Sequence, residues 1–226
     1  MNTFGTVARF VRRGMLAVVL LGAGACQASL VTLTFEGLSD LAKVGDFYDG
    51  GLDGAGQGPG PDDGIKFSSD AIALIASSAG GSGVFSGAPS GVGALFFLSG
   101  AGTTINVAAG FSNEFSLFYS AFAGGSFSIY DGLDGTGTLL GSETLAVTPN
   151  TSNQLNAWVE GIADFSGTAH SVVLSGVANR ILFDNLSFDI GAADNSIPEP
   201  GSLPLVVTAA AVLGLAGQRR ARALRS

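Results

Sequence analysis

Carboxylates are the chemistry this sequence offers most freely. Seventeen of its 18 acidic residues fall between residues 29 and 197, where only Lys43, Lys66 and Arg180 oppose them. Seventeen acids against three bases leave that stretch at −14, more negative than the −8 of the whole 226-residue chain. Such a surface repels nucleic acid, whose affinity rests on cationic contacts to phosphate, and it attracts divalent cations. Calcium suits it, because calcium takes oxygen ligands from carboxylates and loop carbonyls. Zinc does not, because the chain has one histidine, His170, and one cysteine, Cys26. A nucleophile needs a base beside it, and neither a G-x-S-x-G pattern nor a comparable one is present. His170 reads as a strand-edge residue. A glycosidase-type carboxylate pair is distant in sequence by nature, so spacing does not single one out.

Two acids stand apart from the rest. In "ILFDNLSFDI" (181–190), strand alternation puts Asp184 on one face with Leu182, Leu186, Phe188 and Ile190. A carboxylate on an apolar face requires a partner. Either a cation supplies it, or backbone N–H groups at a strand bend do. Glu36 closes the first strand and is the acid placed to approach Asp184, since first and last strands often neighbour each other in sandwiches. Glu36 falls on the polar face of its own strand, so the approach needs a bulge. Asp131 and Asp134 in "DGLDGTG" lack the ligand count of an EF-hand loop and read as a glycine-rich hairpin tip. Sugar binding needs aromatic platforms beside polar groups. Trp158, Tyr48, Tyr119 and Tyr130 are the only Trp and Tyr residues, and the 16 phenylalanines read mostly as core.

The elements that must hold these residues are short strands. Candidates run over 30–36, 64–68, 71–76, 94–99, 103–109, 114–120, 125–131, 138–147, 156–162, 171–176 and 180–190, punctuated by Gly, Asn, Asp and Ser. No sustained 3.6-residue apolar period appears between residues 29 and 197. About eleven strands with frequent turns predict an all-β fold, a jelly-roll-type two-sheet β-sandwich. Residues 126–145 read as one hairpin. "DGGLDGAGQGPGPDDG" (49–64) reads as a loop, because its Gly and Pro oppose a ladder.

Both ends differ from this middle. Residues 1–28 carry a basic start (Arg9, Arg12, Arg13), an apolar run from Met15 and small residues after it, the pattern of a secretory signal peptide. Cleavage after Ala25 or Ala28 would remove Cys26 or leave it at the new terminus. Our reading is that Cys26 leaves with the signal peptide, so that the exported domain, 29–197, has no disulfide. At the other end, Leu203–Gly217 is uncharged and followed at once by Arg219, Arg220, Arg222 and Arg225. As a helix it reaches about 22 Å, short of the roughly 30 Å hydrocarbon core, with flanking side chains to make up length. The basic cluster marks the cytoplasmic side. The expectation is a C-terminal transmembrane helix, with the domain across the inner membrane from the cytoplasm.

Residues 198–226 resemble the PEP-CTERM sorting signal of Gram-negative bacteria: Pro198, Glu199 and Pro200, then an apolar span, then the arginine cluster. The resemblance implies a transient inner-membrane anchor, processing at the Pro-Glu-Pro motif by a membrane protease-transpeptidase, the exosortase, and association with exopolysaccharide and biofilm-forming cells. The domain itself resembles carbohydrate-binding-module sandwiches in the opening "TFE" (34–36) and the closing "FDN" (183–185). That second likeness implies a structural calcium at Glu36 and Asp184. The sequence thus predicts an exported, non-enzymatic surface or matrix protein that binds carbohydrate, the alternative being a secreted polysaccharide hydrolase.

Overall fold

A computed structural model describes residues 28–191. Of the expected signal peptide (1–28) all but Ala28 lies outside the described residues, as do Pro198, Glu199, Pro200, the expected apolar span and Arg219, Arg220, Arg222 and Arg225. Nine antiparallel strands run in chain order: β1 (Ala28–Leu33), β2 (Ile65–Phe67), β3 (Ile72–Ile75), β4 (Gly93–Phe96), β5 (Gly102–Ala121), β6 (Gly125–Tyr130), β7 (Leu139–Leu145), β8 (Val159–Ser175) and β9 (Ile181–Gly191). The described helical structure is limited to single 3-10 turns at 77–79 and 133–135.

The all-β expectation agrees with this, with two differences. Four of the expected strands are two long ones. Segments 103–109 and 114–120 are one strand, β5, and 156–162 and 171–176 fall together in β8. The turn signals between them, Gly110 and Asn113 in β5 and Gly167 in β8, do take positive φ. They mark bulges, where the β5–β8 register shifts, and not strand ends. The second difference follows. All nine strands are hydrogen-bonded into one network, ordered β3-β4-β9-β5-β8-β6-β7, with β1 on β9 and β2 on β5. The start of β5 pairs with β2 and with the end of β8, whereas its second half pairs with the start of β8 and with β9. At the bulges the sheet folds over, so that Phe115 on the second half of β5 meets Phe127 of β6 edge-on, 5.0 Å between ring centres.

The core lies between the folded halves. Phe111, Phe115, Phe127 and Phe188 form a chain of edge-on and tilted pairs with Phe165 at its end. Each such pair adds about 0.5–1.5 kcal/mol to the burial of its rings. A second, smaller cluster occupies the other face of β3, β4 and the start of β9: Leu74, Ala76, Phe85, Ala94, Phe96, Leu155 and Leu182. This explains why "ALFF" (94–97) and "ILF" (181–183) are apolar without alternation. Leu95, Phe97 and Phe183 face the main core, and their neighbours face the small cluster. β1 lies along β9 with Ala28 opposite Gly191 and Leu33 opposite Leu186, so the first and last strands do adjoin. β6 and β7 form the expected hairpin. Segment 49–64 is a loop pinned by Asp53, which accepts N–H bonds from Ser39, Ala55 and Gln57.

Candidate functional site

Two places draw polar groups together. The first contains Glu36 and Asp184. Asp184 is fully buried, but not on the face that strict alternation assigns it. β9 holds one extra residue between its pairings with Ser116 and Phe118, and Asn185 there takes φ 48°. The bulge inverts the strand's parity. Leu186, Phe188 and Ile190 enter the main core, and Asp184 points away from it, on the side of Leu182. Glu36 does not close the first strand as expected but lies in the turn that follows it. The bulge that brings these acids together is therefore in β9, not β1. β1 ends at Leu33, and the chain turns through Phe35 at φ 58°, a conformation costing an aromatic residue on the order of 1–3 kcal/mol.

Both carboxylates grip one loop. The Ser90 N–H donates to Asp184 Oδ2 (3.0 Å) and its hydroxyl to Oδ1 (2.8 Å). The Asn185 N–H donates to Oδ1 at 2.7 Å. Glu36 Oε1 accepts from the N–H groups of Val92 (2.8 Å) and Gly93 (2.6 Å). Gly91 between them has φ +44°, and a Cβ there would collide with the Glu36 carboxyl group. Burial pushes the Asp184 carboxyl up to about 6 against the pull of its hydrogen bonds, and the nearby charge of Glu36 adds to the rise. Burial likewise raises Tyr48, whose phenolic oxygen accepts the Phe35 N–H (2.8 Å), with the charges of Asp184, Asp63 and Glu36 adding. Asn185 Oδ1 is buried with no hydrogen-bond partner. Glu36 also borders an open groove of about 510 Å³ with Gly37, Phe47 and residues 57–61. Among the described residues no group of three or more His, Cys, Asp or Glu side chains is gathered. The donors that meet the two carboxylates here are N–H groups and the Ser90 hydroxyl, which also reaches Thr34 O at 3.3 Å.

The second place is a cavity of about 350 Å³ above the small cluster. Its floor is Leu74, Phe96, Phe122, Leu155 and Leu182, and Ser82, Asn153, Asn179 and Arg180 stand at its polar side. Loops build it. Residues 77–92 and 146–158 touch through Phe85 and Leu155, with the Leu155 N–H donating to Val84 O (3.3 Å) and the Ser86 N–H to Leu155 O (3.2 Å). Asp40 ties down the first loop by accepting from Ile75 N–H and Ser82 N–H. Asn150 holds the second: its Oδ1 accepts from Ser120, Asn156 and Ala157, and its Nδ2 donates to Ala121 O. Asn153 and Asn179 both have positive φ, which asparagine tolerates better than most residues.

Sequence reasoning singled out neither asparagine, and it noted Arg180 only as one of three cations. An asparagine beside a strand end is the one available signal, and it is shared with every turn. Trp158 is half-buried, edge-on to Phe85, and its indole N–H donates to Ser86 O (2.9 Å), so it braces the two loops. His170 lies inside β8. Asp131 and Asp134 sit at the β6–β7 hairpin tip, where Asp131 caps Thr138 N–H (2.6 Å) and Asp134 bonds Asn106.

No family model and no curated protein matches the sequence. Among solved structures, partial likenesses are to sugar-related proteins. A glycoside hydrolase family 43 arabinoxylan arabinofuranohydrolase from Bacillus subtilis is 22% identical over 46% of this chain, TM-score 0.35, and the match spans only 23% of that chain. A family 6 carbohydrate-binding module is 21% identical over 54% of this chain and 84% of its own, TM-score 0.37. The family 6 module from Clostridium cellulolyticum, in complex with xylose, is 18% identical over 70% of this chain and 95% of its own, TM-score 0.35.

Proposed function

We propose that the chain is an exported, non-enzymatic carbohydrate-binding protein with a jelly-roll-type sandwich domain. The loop-built cavity carries this reading: an apolar floor with Asn153, Asn179 and Arg180 converging on it, in a volume within the range of small-molecule sites. Residues 198–226 would deliver it, through the inner membrane and exosortase processing, to an exopolysaccharide matrix. A glycan array probed with the purified protein tests the binding. Polysaccharide turnover that depends on one acidic pair would replace this reading with the hydrolase alternative. Delivery is tested separately in cells. Glu199→Ala, or deletion of 219–226, is expected to leave precursor in the inner membrane, and normal release of both variants would remove exosortase from the account.

A second proposal concerns the carboxylate pair. Calcium held by Glu36 and Asp184 would neutralise two like charges that burial has brought together and would fix the 90–93 loop. Its support is the donor chemistry, and the left-handed residues Phe35 and Asn185 flanking the two acids. Backbone strain of this kind persists where surrounding structure over-determines it.

A further inference from the structure

We infer that the saccharide taken by the loop-built cavity is anionic, bearing a carboxylate or sulfate that lies against Arg180. The inference rests on the proposed sugar-binding function and names the ligand class.

The charge distribution argues for it. Among the described residues there are three cations. Lys66 is held by Asp49 (2.7 Å) and Asp46 (3.2 Å). Lys43 does not border the cavity. Arg180 does, and among the described residues no carboxylate lies within 4 Å of its guanidinium. On a surface this acidic, an arginine finds carboxylates easily, yet the one arginine among the described residues stands apart from them at the mouth of an apolar cavity. Its backbone is fixed on both sides: its N–H donates to Val177 O (3.1 Å) and its carbonyl accepts the Phe122 N–H (2.8 Å). The guanidinium fork therefore starts from a set position at the junction of the β5–β6 and β8–β9 loops.

The rest of the rim suits a sugar. Leu41, Val84 and Leu98 expose 49%, 60% and 51% of their surface beside the cavity, enough to meet the C–H face of a pyranose. Asn153 and Asn179 each offer an amide NH2 with two donors and a carbonyl oxygen acceptor for hydroxyls. A neutral sugar would use all of this except the guanidinium. A cationic sugar would be repelled by it. A carboxylate or sulfate matches it as a two-pronged, charge-assisted acceptor. Long-range repulsion from the acidic domain is screened within about 8 Å at physiological salt, whereas the contact at Arg180 is direct.

The test is calorimetric titration of the full chain in detergent with three probes of matched length: oligogalacturonate, a sulfated galactan oligosaccharide and a neutral galactan oligosaccharide. Binding of one or both anionic probes, with the neutral one at least tenfold weaker, is expected. Arg180→Gln should cut the anionic affinity at least tenfold, and Arg180→Lys should restore part of it, with melting temperatures unchanged because Arg180 is exposed. Equal binding of neutral and anionic probes, or anionic binding that survives Arg180→Gln intact, overturns the inference and leaves sugar binding standing. Absence of binding by every probe on the array and in the calorimeter overturns both. Retention of the uronate alone or the sulfate alone identifies which anion the site takes.

Discussion

The two apolar clusters share strands and differ in what covers them. Around its chain of phenylalanines the main core is closed by strands, because the sheet folds over at the β5 and β8 bulges, and Leu38, Val44, Phe47 and Tyr48 of the segment after β1 complete it. Its phenylalanines, Phe115 and Phe188 among them, are fully buried. The small cluster rests on the opposite face of β3, β4 and β9 and is covered by the loops at 77–92 and 146–158. Hydrogen-bonded strands tile a surface at one fixed spacing. Loops leave gaps where their own hydrogen bonds need room, and the 350 Å³ cavity is such a gap. The same strands thus give the molecule its stability on one face and its site on the other.

Truncating each cluster tests that division. Phe115→Ala is expected to lose about 3–5 kcal/mol in urea unfolding, since strands on both sides cannot collapse into the space. Leu155→Ala, in the loop-covered cluster, is expected near 2 kcal/mol, the low end for a buried leucine, because a loop can settle. Equal losses would erase the distinction.

The carboxylate pair sits on the small-cluster side and sharpens the comparison through pH. Unfolded Asp184 titrates near 3.8 and folded Asp184 near 6, so the folded chain binds the extra proton between those values. In chelator, its ionised form costs stability above pH 6, and that cost is relieved as pH falls toward 4. The shift corresponds to roughly 3 kcal/mol at most. Asp184→Asn should flatten this part of the profile. Calcium favours the ionised pair, so at pH 7 and about 100 times its dissociation constant it should add roughly 2.7 kcal/mol to the wild type. Sodium at matched ionic strength should not reproduce that gain. Identical melting in calcium and chelator would withdraw the metal and leave the pair as a hydrogen-bonded latch.

The smallest effect is expected at Trp158. Trp158→Phe keeps the edge contact with Phe85 and loses the bond to Ser86 O, a change of about 1 kcal/mol. It should show as faster proteolytic nicking in the two loops, with the main core unaltered. Nicking at the wild-type rate would mean that the indole N–H does not brace them.

Much of the sheet was legible because burial writes itself into composition. Alternating Phe127 and Ile129 announce a one-sided strand, and unbroken "ALFF" announces a strand covered twice. Asp184 was legible as a buried acid for the same reason. Its orientation was not, since one left-handed residue, Asn185, reverses a face and asparagine has many uses. Gly110, Asn113 and Gly167 are ambiguous in the same way: a bulge and a turn need the same backbone. The cavity was the least legible part. Asn179 and Arg180 come from the β8–β9 loop and Asn153 from the 146–158 loop, and only the path of the folded sheet brings the two loops together.

The pairing of Ala28 with Gly191 has a consequence for display. The first and last described residues lie side by side at one pole of the sheet, and Arg180 precedes β9 at the other. Eleven residues of strand span about 36 Å, several screening lengths of physiological salt. If the ends are cut as proposed, the signal-cleaving enzyme and the exosortase would work at the same pole. The cavity would then lie at the far end of β9 from both cuts.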